Sequence, residues 1–144
     1  RTEKKIPNIE CLSGDKGFDK VLKTSDILIL LLPLTDKTKY ILNSKTLAKV
    51  KKGTFIINAG RGLLIDDEAL ISFIDKGTVA AATLDVFSKE PLPSSHIFWE
   101  HAKVTVTPHI AAETRPQTSS KSIFLSPEIK SNSTIPTSTI LPPC

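Results

Sequence analysis

The chain contains no methionine and only two cysteines, Cys11 and Cys144. The cysteines stand far apart, with neither metal-ligand nor redox spacing, so no disulfide framework is expected, which fits a reducing cytoplasm. Long apolar runs are also missing. The longest, Ile27 to Leu34, is broken by Pro33 and falls well short of the ~20 residues that cross a bilayer. Charges at the N-terminus are followed by no apolar core, so no signal peptide is expected there. With no initiating methionine, the chain is expected to be a fragment or an incomplete reading frame. No Gly-rich phosphate loop stands between a strand and a helix: Gly14 and Gly17 lack the dinucleotide-binding spacing. A Gly-x-Ser-x-Gly elbow and a cluster of metal ligands are absent as well. Aromatic residues are 6% of the chain, and the net charge of +4 comes from scattered lysines such as Lys49, Lys51 and Lys52. That pattern describes a solvated surface rather than a nucleic-acid footprint. The one local basic group is Arg1, Lys4 and Lys5.

What is present is an alternation of two periods. Residues 27–32 read Ile-Leu-Ile-Leu-Leu-Leu, a run suited to a strand buried on both faces of a parallel sheet. Three further runs follow: Thr54 to Ile57, Ala80 to Leu84 and Val104 to Thr107. Between them lie helical patterns. Asp15 is expected to cap a helix with Phe18, Val21 and Leu22 on one face, and Asn43 another with Leu47 and Val50 inward. The clearest helix runs from Asp66 to Lys76: Asp66 as N-cap, Asp67 and Glu68 at the positive end of the dipole, Leu70, Phe73 and Ile74 inward, and Gly77 beyond the end. Strands alternating with helices imply βαβ units and a parallel sheet. Ligands of such sheets bind outside the carboxyl ends of the strands. Pro33, Asn58 to Gly62, Asp85 and Pro108 to Ala112 all fall at those ends, so they should gather along one edge.

Several residues on that edge have useful chemistry. Arg61 lies between Gly60 and Gly62; glycines permit close backbone approach, and an arginine there can present a planar fork to a carboxylate. His109 follows Pro108 at a strand end, where it can give or take a proton near neutral pH. A carboxylate such as Glu90 can hold a histidine's tautomer and favour its protonated form. Asp85 closes a buried-type strand, where an acid is costly unless paired or set at a cleft. His96 and His101 read as surface residues near a turn. From about Leu125 to Cys144 the chain is rich in Ser, Thr and Pro without helix or strand period and reads as disordered.

Four segments in order, Ser25-Asp26-Ile27 through Leu32-Pro33-Leu34-Thr35, Asn58-Ala59-Gly60-Arg61-Gly62, Leu84-Asp85-Val86-Phe87 with Glu90-Pro91-Leu92, and Thr107-Pro108-His109-Ile110-Ala111-Ala112, resemble the D-isomer-specific 2-hydroxyacid dehydrogenases over about residues 1–120. Lys89-Glu90-Pro91-Leu92-Pro93, Phe98-Trp99-Glu100-His101 and Glu113-Thr114-Arg115-Pro116 are most similar to the glyoxylate/hydroxypyruvate reductase A branch. The resemblance implies an α/β fold: a partial Rossmann-like parallel sheet flanked by helices, lacking the first βαβ unit and the substrate domain. Residues 1–120 would be the C-terminal part of an NAD(P)-binding domain, and 121–144 a disordered or aberrant tail. It implies hydride transfer between NADP or NAD and a small 2-oxo acid. Arg61 would bind the substrate carboxylate and carbonyl oxygen, His109 would supply the proton, and Glu90 would support His109. Asp85 would hold the carboxamide of the nicotinamide, while Leu32, Pro33, Ala59, Gly60 and Ala111 would line the cofactor. Arg1 and Lys4 would meet the 2′-phosphate of NADP; on charge alone they read equally as a solvated terminus. The complete protein would be a cytoplasmic homodimer with no membrane or nucleic-acid partner. This chain by itself is expected to be marginally stable and inactive, with an unpaired sheet edge where the first strands would lie. Two other readings stand beside the enzyme: a nucleotide-sensing binding module and a remnant without function.

Overall fold

Four apolar runs become four parallel strands: β1 (Ile27–Leu30), β2 (Thr54–Asn58), β3 (Val79–Leu84) and β4 (Val104–Val106). The computed structural model describes residues 7–111 and the backbone of Thr139–Ile140. That last pair forms β5, and the sheet order is β4-β3-β2-β1-β5. β5 pairs in parallel with Leu28 and Ile29, so the edge of β1, expected to be unpaired, carries a two-residue partner. The rest of the Ser/Thr/Pro-rich tail lies outside the described residues. No described helix is long and apolar enough to cross a membrane.

The connections are helical, as the 3.6-residue pattern requires. α1 (Gly14–Thr24) buries Val21 and Leu22. Its N-cap is Ser13, not Asp15, which sits in the first turn; there its charge meets the positive end of the dipole without a capping bond. α2 is a single turn, Ser44–Leu47, closed by a capping box in which the Asn43 side chain accepts from Thr46 N–H and the Thr46 hydroxyl engages the Asn43 N–H. α3 (Asp67–Asp75) has Asp66 as its cap, with the carboxylate accepting the Ala69 N–H at 3.1 Å. It ends in Gly77 at φ 73°. Gly77 N–H donates to Ile74 and Thr78 N–H to Phe73, the paired bonds that close a helix through a left-handed residue.

The register aligns Leu28, Ile56, Ala82 and Val104, and likewise Leu30, Asn58, Leu84 and Val106. Of these, Leu28, Leu30, Ile56, Ala82 and Leu84 form the core with Val21, Leu22, Leu47, Leu70, Ile74 and Phe98, and Val104 and Val106 pack against it. The opposite face differs from the expectation of burial on both sides. Ile27, Ile29 and Ile57 are only half-buried, and Phe55 keeps 51% of its surface exposed. A near-continuous apolar run is the mark of a sheet covered on both faces, but the described helices bury one. β1 is also shorter than its run: the ladder stops at Leu30 opposite Asn58, and Leu31 is exposed.

Candidate active site

The strand ends build one rim, and buried polar side chains fix its loops. Asn58, buried at the end of β2, accepts the Gly60 N–H on Oδ1 at 3.1 Å and donates from Nδ2 to the Arg61 carbonyl at 3.0 Å. One side chain thus satisfies both limbs of the turn. Gly60 is buried, and a Cβ there would lie 3.0 Å from Leu64 and 3.1 Å from the Leu32 carbonyl oxygen. At Gly62 a Cβ would fall 1.9 Å from the Phe87 carbonyl carbon and 2.1 Å from its oxygen. Only glycine permits this backbone-on-backbone contact, which presses the Arg61 loop against the segment leaving β3. Arg61 is exposed, and its Nη1 donates to the Gly60 carbonyl at 2.7 Å.

Asp85, 5% exposed, ends β3 and gathers the segment beyond β4. Its Oδ1 accepts the Thr107 hydroxyl at 2.5 Å and the Ile110 N–H at 3.0 Å; its Oδ2 accepts the Ala111 N–H at 2.9 Å. Burial pushes this carboxyl up, but the Thr107 hydroxyl and the amides of Ala111 and Ile110 outweigh it and hold Asp85 below the usual aspartate range. The ionised carboxylate therefore shapes the turn in which His109 adopts φ 55°.

His109 and Glu90 meet directly, Nδ1 to Oε2 at 2.9 Å, with side chains 47% and 38% exposed. The other oxygen of Glu90 accepts the Phe87 N–H at 3.0 Å. That amide, then the His109 side chain, and then the charges of His109 and Arg61 hold Glu90 below its ordinary value against the effect of burial. An ionised carboxylate only accepts hydrogen bonds. His109 must therefore donate from Nδ1, which leaves Nε2 to face a ligand.

Residues 2–111 match the family model described as the D-isomer specific 2-hydroxyacid dehydrogenase NAD binding domain. The chain belongs to this family. Glyoxylate/hydroxypyruvate reductase A from Yersinia enterocolitica is 43% identical over 117 residues, which is 81% of this chain and 37% of that protein. The crystal structure of a D-isomer specific 2-hydroxyacid dehydrogenase from Xanthobacter autotrophicus Py2, in complex with NADPH and MES, superposes with a TM-score of 0.75 at 39% identity, over 81% of this chain and 48% of that one. An NADPH-dependent glyoxylate/hydroxypyruvate reductase from Sinorhizobium meliloti, in complex with NADP and sulfate, gives 0.72 at 36% identity, over 78% and 37% of the two chains. The chain thus spans just over a third of the curated relative's length.

Within this dehydrogenase domain, Leu32, Pro33, Ala59, Gly60, Asp85 and Ala111 all occupy the rim that carries Arg61, Glu90 and His109. Arg1 and Lys4 lie outside the described residues. Asp85 also tests whether a nicotinamide fits here. A carboxylate offers about four lone-pair directions, and three donors use them. The remaining direction on Oδ2 suits one N–H of a carboxamide. Asn58 and Thr107, which shape the site, were not singled out from the sequence. Their signals were a polar residue closing an apolar strand and a hydroxyl just ahead of Pro108-His109.

Proposed function

We propose that this domain works in an NAD(P)H-dependent reductase of small 2-oxo acids such as glyoxylate or hydroxypyruvate. The observation that carries the reading is the 2.9 Å bond between Glu90 and Nδ1 of His109, made at the strand ends where the cofactor of such a sheet lies. When bound, the reduced nicotinamide supplies a hydride. Arg61 binds the substrate carboxylate as a charged fork and steadies the charge that develops on the carbonyl oxygen. His109 gives that oxygen a proton from Nε2 while Glu90 holds the ring in place and balances its charge. Asp85 orients the carboxamide, and the backbone at Leu32, Pro33, Ala59 and Gly60, with Ala111, lines the cofactor. Relatives with NADPH or NADP in their structures support NADP(H), with Arg1 and Lys4 meeting the 2′-phosphate.

NADPH oxidation in the presence of glyoxylate, measured in the complete protein that carries this domain, tests the assignment. His109→Ala should slow turnover by about 10²–10⁴-fold, the range of a positioned proton donor. Arg61→Ala should cost on the order of 10²–10³-fold, as the loss of an oxyanion-stabilising group does. An Arg61→Ala protein as fast as its parent would remove the assigned role. NADPH binding without turnover of any 2-oxo acid would favour a nucleotide-sensing module instead.

A further inference from the structure

The loop that carries Glu90 leaves β3 at Asp85 and re-enters the core at Phe98, a stretch without strand or helix until Ile97. Such a loop costs entropy to hold in one arrangement, yet Glu90 must stay within hydrogen-bond reach of His109. Its two ends converge on one atom of α3. Before Glu90, the Ser88 hydroxyl donates to Asp67 Oδ2 at 3.1 Å. After it, His96 Nε2 lies 3.8 Å from the same Oδ2. The orientation of His96 is set from behind: its Nδ1 accepts the Phe98 N–H at 3.3 Å, and its ring packs on the buried Phe98 ring with centroids 4.4 Å apart. With Nδ1 turned to Phe98, Nε2 is the ring nitrogen that faces Asp67, in a polar contact longer than a hydrogen bond. Both side chains of the His96–Asp67 pair are about three-quarters buried, where such a contact is screened less than at an open surface.

We propose that Asp67 is a positioning residue: its carboxylate clasps both ends of the 88–96 loop, through Ser88 and His96, and thereby keeps Glu90 on Nδ1 of His109. The inference rests on the reading of Glu90 and His109 as the proton-transfer pair. Asp67 sits in the first turn of α3, directly after its cap, so the clasp is referenced to a rigid element rather than to another loop. Burial pushes its carboxyl above the usual aspartate range, with Ser88 and His96 opposing and Asp66 adding to the rise. A helix cap or a solubilising surface acid would need none of this arrangement; Asp66 already supplies the cap. The clasp borders a cleft of about 330 Å³ lined by Tyr40, Ile65, Asp66, Asp67, Glu68 and Ser88, so the loop's seat on α3 is open to solvent on one side.

The test reads Glu90 itself, by following its side-chain carboxyl carbon by NMR across the acidic range in the full chain. In the parent chain Glu90 titrates below an ordinary glutamate. Asp67→Ala and Ser88→Ala should each move it up toward the ordinary value, because a loosened loop loses the Phe87 and His109 donors. Asp67→Asn, whose amide oxygen still accepts the Ser88 hydroxyl, should fall between. Glu68→Gln, a change on the same helical turn at a residue with no described hydrogen bond or ion pair to the loop, should leave Glu90 where it was. In the complete reductase, Asp67→Ala and Ser88→Ala should lower kcat several-fold at an unchanged KM for NADPH. A Glu90 titration unmoved in folded Ser88→Ala and Asp67→Ala chains overturns the clasp; if Asp67→Ala does not fold, Ser88→Ala, an exposed loop change, decides alone. A shifted Glu90 in a protein that turns over no 2-oxo acid sustains the clasp and overturns the reductase reading.

Discussion

Single residues on the rim act by what they forbid or fix as much as by what they present. Gly62 is the sharpest case. A methyl group there overlaps backbone, not a side-chain tip that can swing away. Gly62→Ala should therefore cost at least the ~1–3 kcal/mol of ordinary overpacking, and it should part the Arg61 loop from the segment bearing Glu90. Thermal unfolding reads the first effect and NADPH oxidation in the complete protein the second. Asp85 makes a prediction of opposite kind. Its carboxyl is held below its ordinary value in the fold, so folding favours the ionised form. That contribution is complete above the unfolded value of about 3.9 and is lost as pH falls through the lower, folded value. Asp85→Asn turns one acceptor into a donor facing donors. It should cost about 1–3 kcal/mol at pH 7, as an unsatisfied buried group does, and progressively less as the pH falls through the folded value of the parent's Asp85, where the parent chain itself loses the charge. Denaturant midpoints followed from neutral pH down the acidic range measure the difference; a loss that stays constant throughout would count against an ionised Asp85.

Elements decide where those residues stand, and here the sequence was largely legible. Apolar runs marked β1 to β4 to within one or two residues, and Asp66 and Gly77 marked both ends of α3 because caps are local: a side chain and a backbone angle suffice. The clasp on α3 was not legible. Ser88, His96 and Asp67 are distant in sequence, and nothing in a nearest-neighbour pattern says that a loop will fold back on a helix already passed. The N-cap of α1 fell on Ser13 rather than Asp15 because either residue can open a helix and the choice depends on how the preceding chain arrives. The hydrogen bonds of Asn58 and Thr107 belong to the same class: their partners come from turns formed only once the strands align. The ends of α3 can be checked separately from the clasp. Asp66→Ala should cost ~1 kcal/mol through the lost cap. Gly77→Ala should cost about 1–2 kcal/mol by forcing an L-residue into the left-handed region. Chemical denaturation of each variant and of the pair tests whether the two ends act independently, as separated sites should.

At the scale of the molecule the sheet is asymmetric. One face, built on Leu28, Leu30, Ile56 and Leu84, is sealed by helices; the other presents Phe55 half-exposed among Ile27, Ile29 and Ile57. The two faces should respond to substitution in opposite ways. Ile56→Ala removes fully buried methyl groups and should cost about 2–5 kcal/mol. Phe55→Thr removes an exposed ring from a strand while keeping a β-branched residue, and should change stability of this chain by less than ~0.5 kcal/mol. It should also reduce binding of a hydrophobic dye and self-association, because contiguous exposed apolar surface drives both. Dye fluorescence and size-exclusion elution of the parent chain and Phe55→Thr, compared at matched concentration, measure this directly. The same substitution in the complete protein separates two arrangements of the sheet. If further chain covers this face there, Phe55→Thr should become destabilising by the ~1.5–3 kcal/mol of a buried aromatic. A change as small as in this chain would mean that the face stays open in the complete protein too.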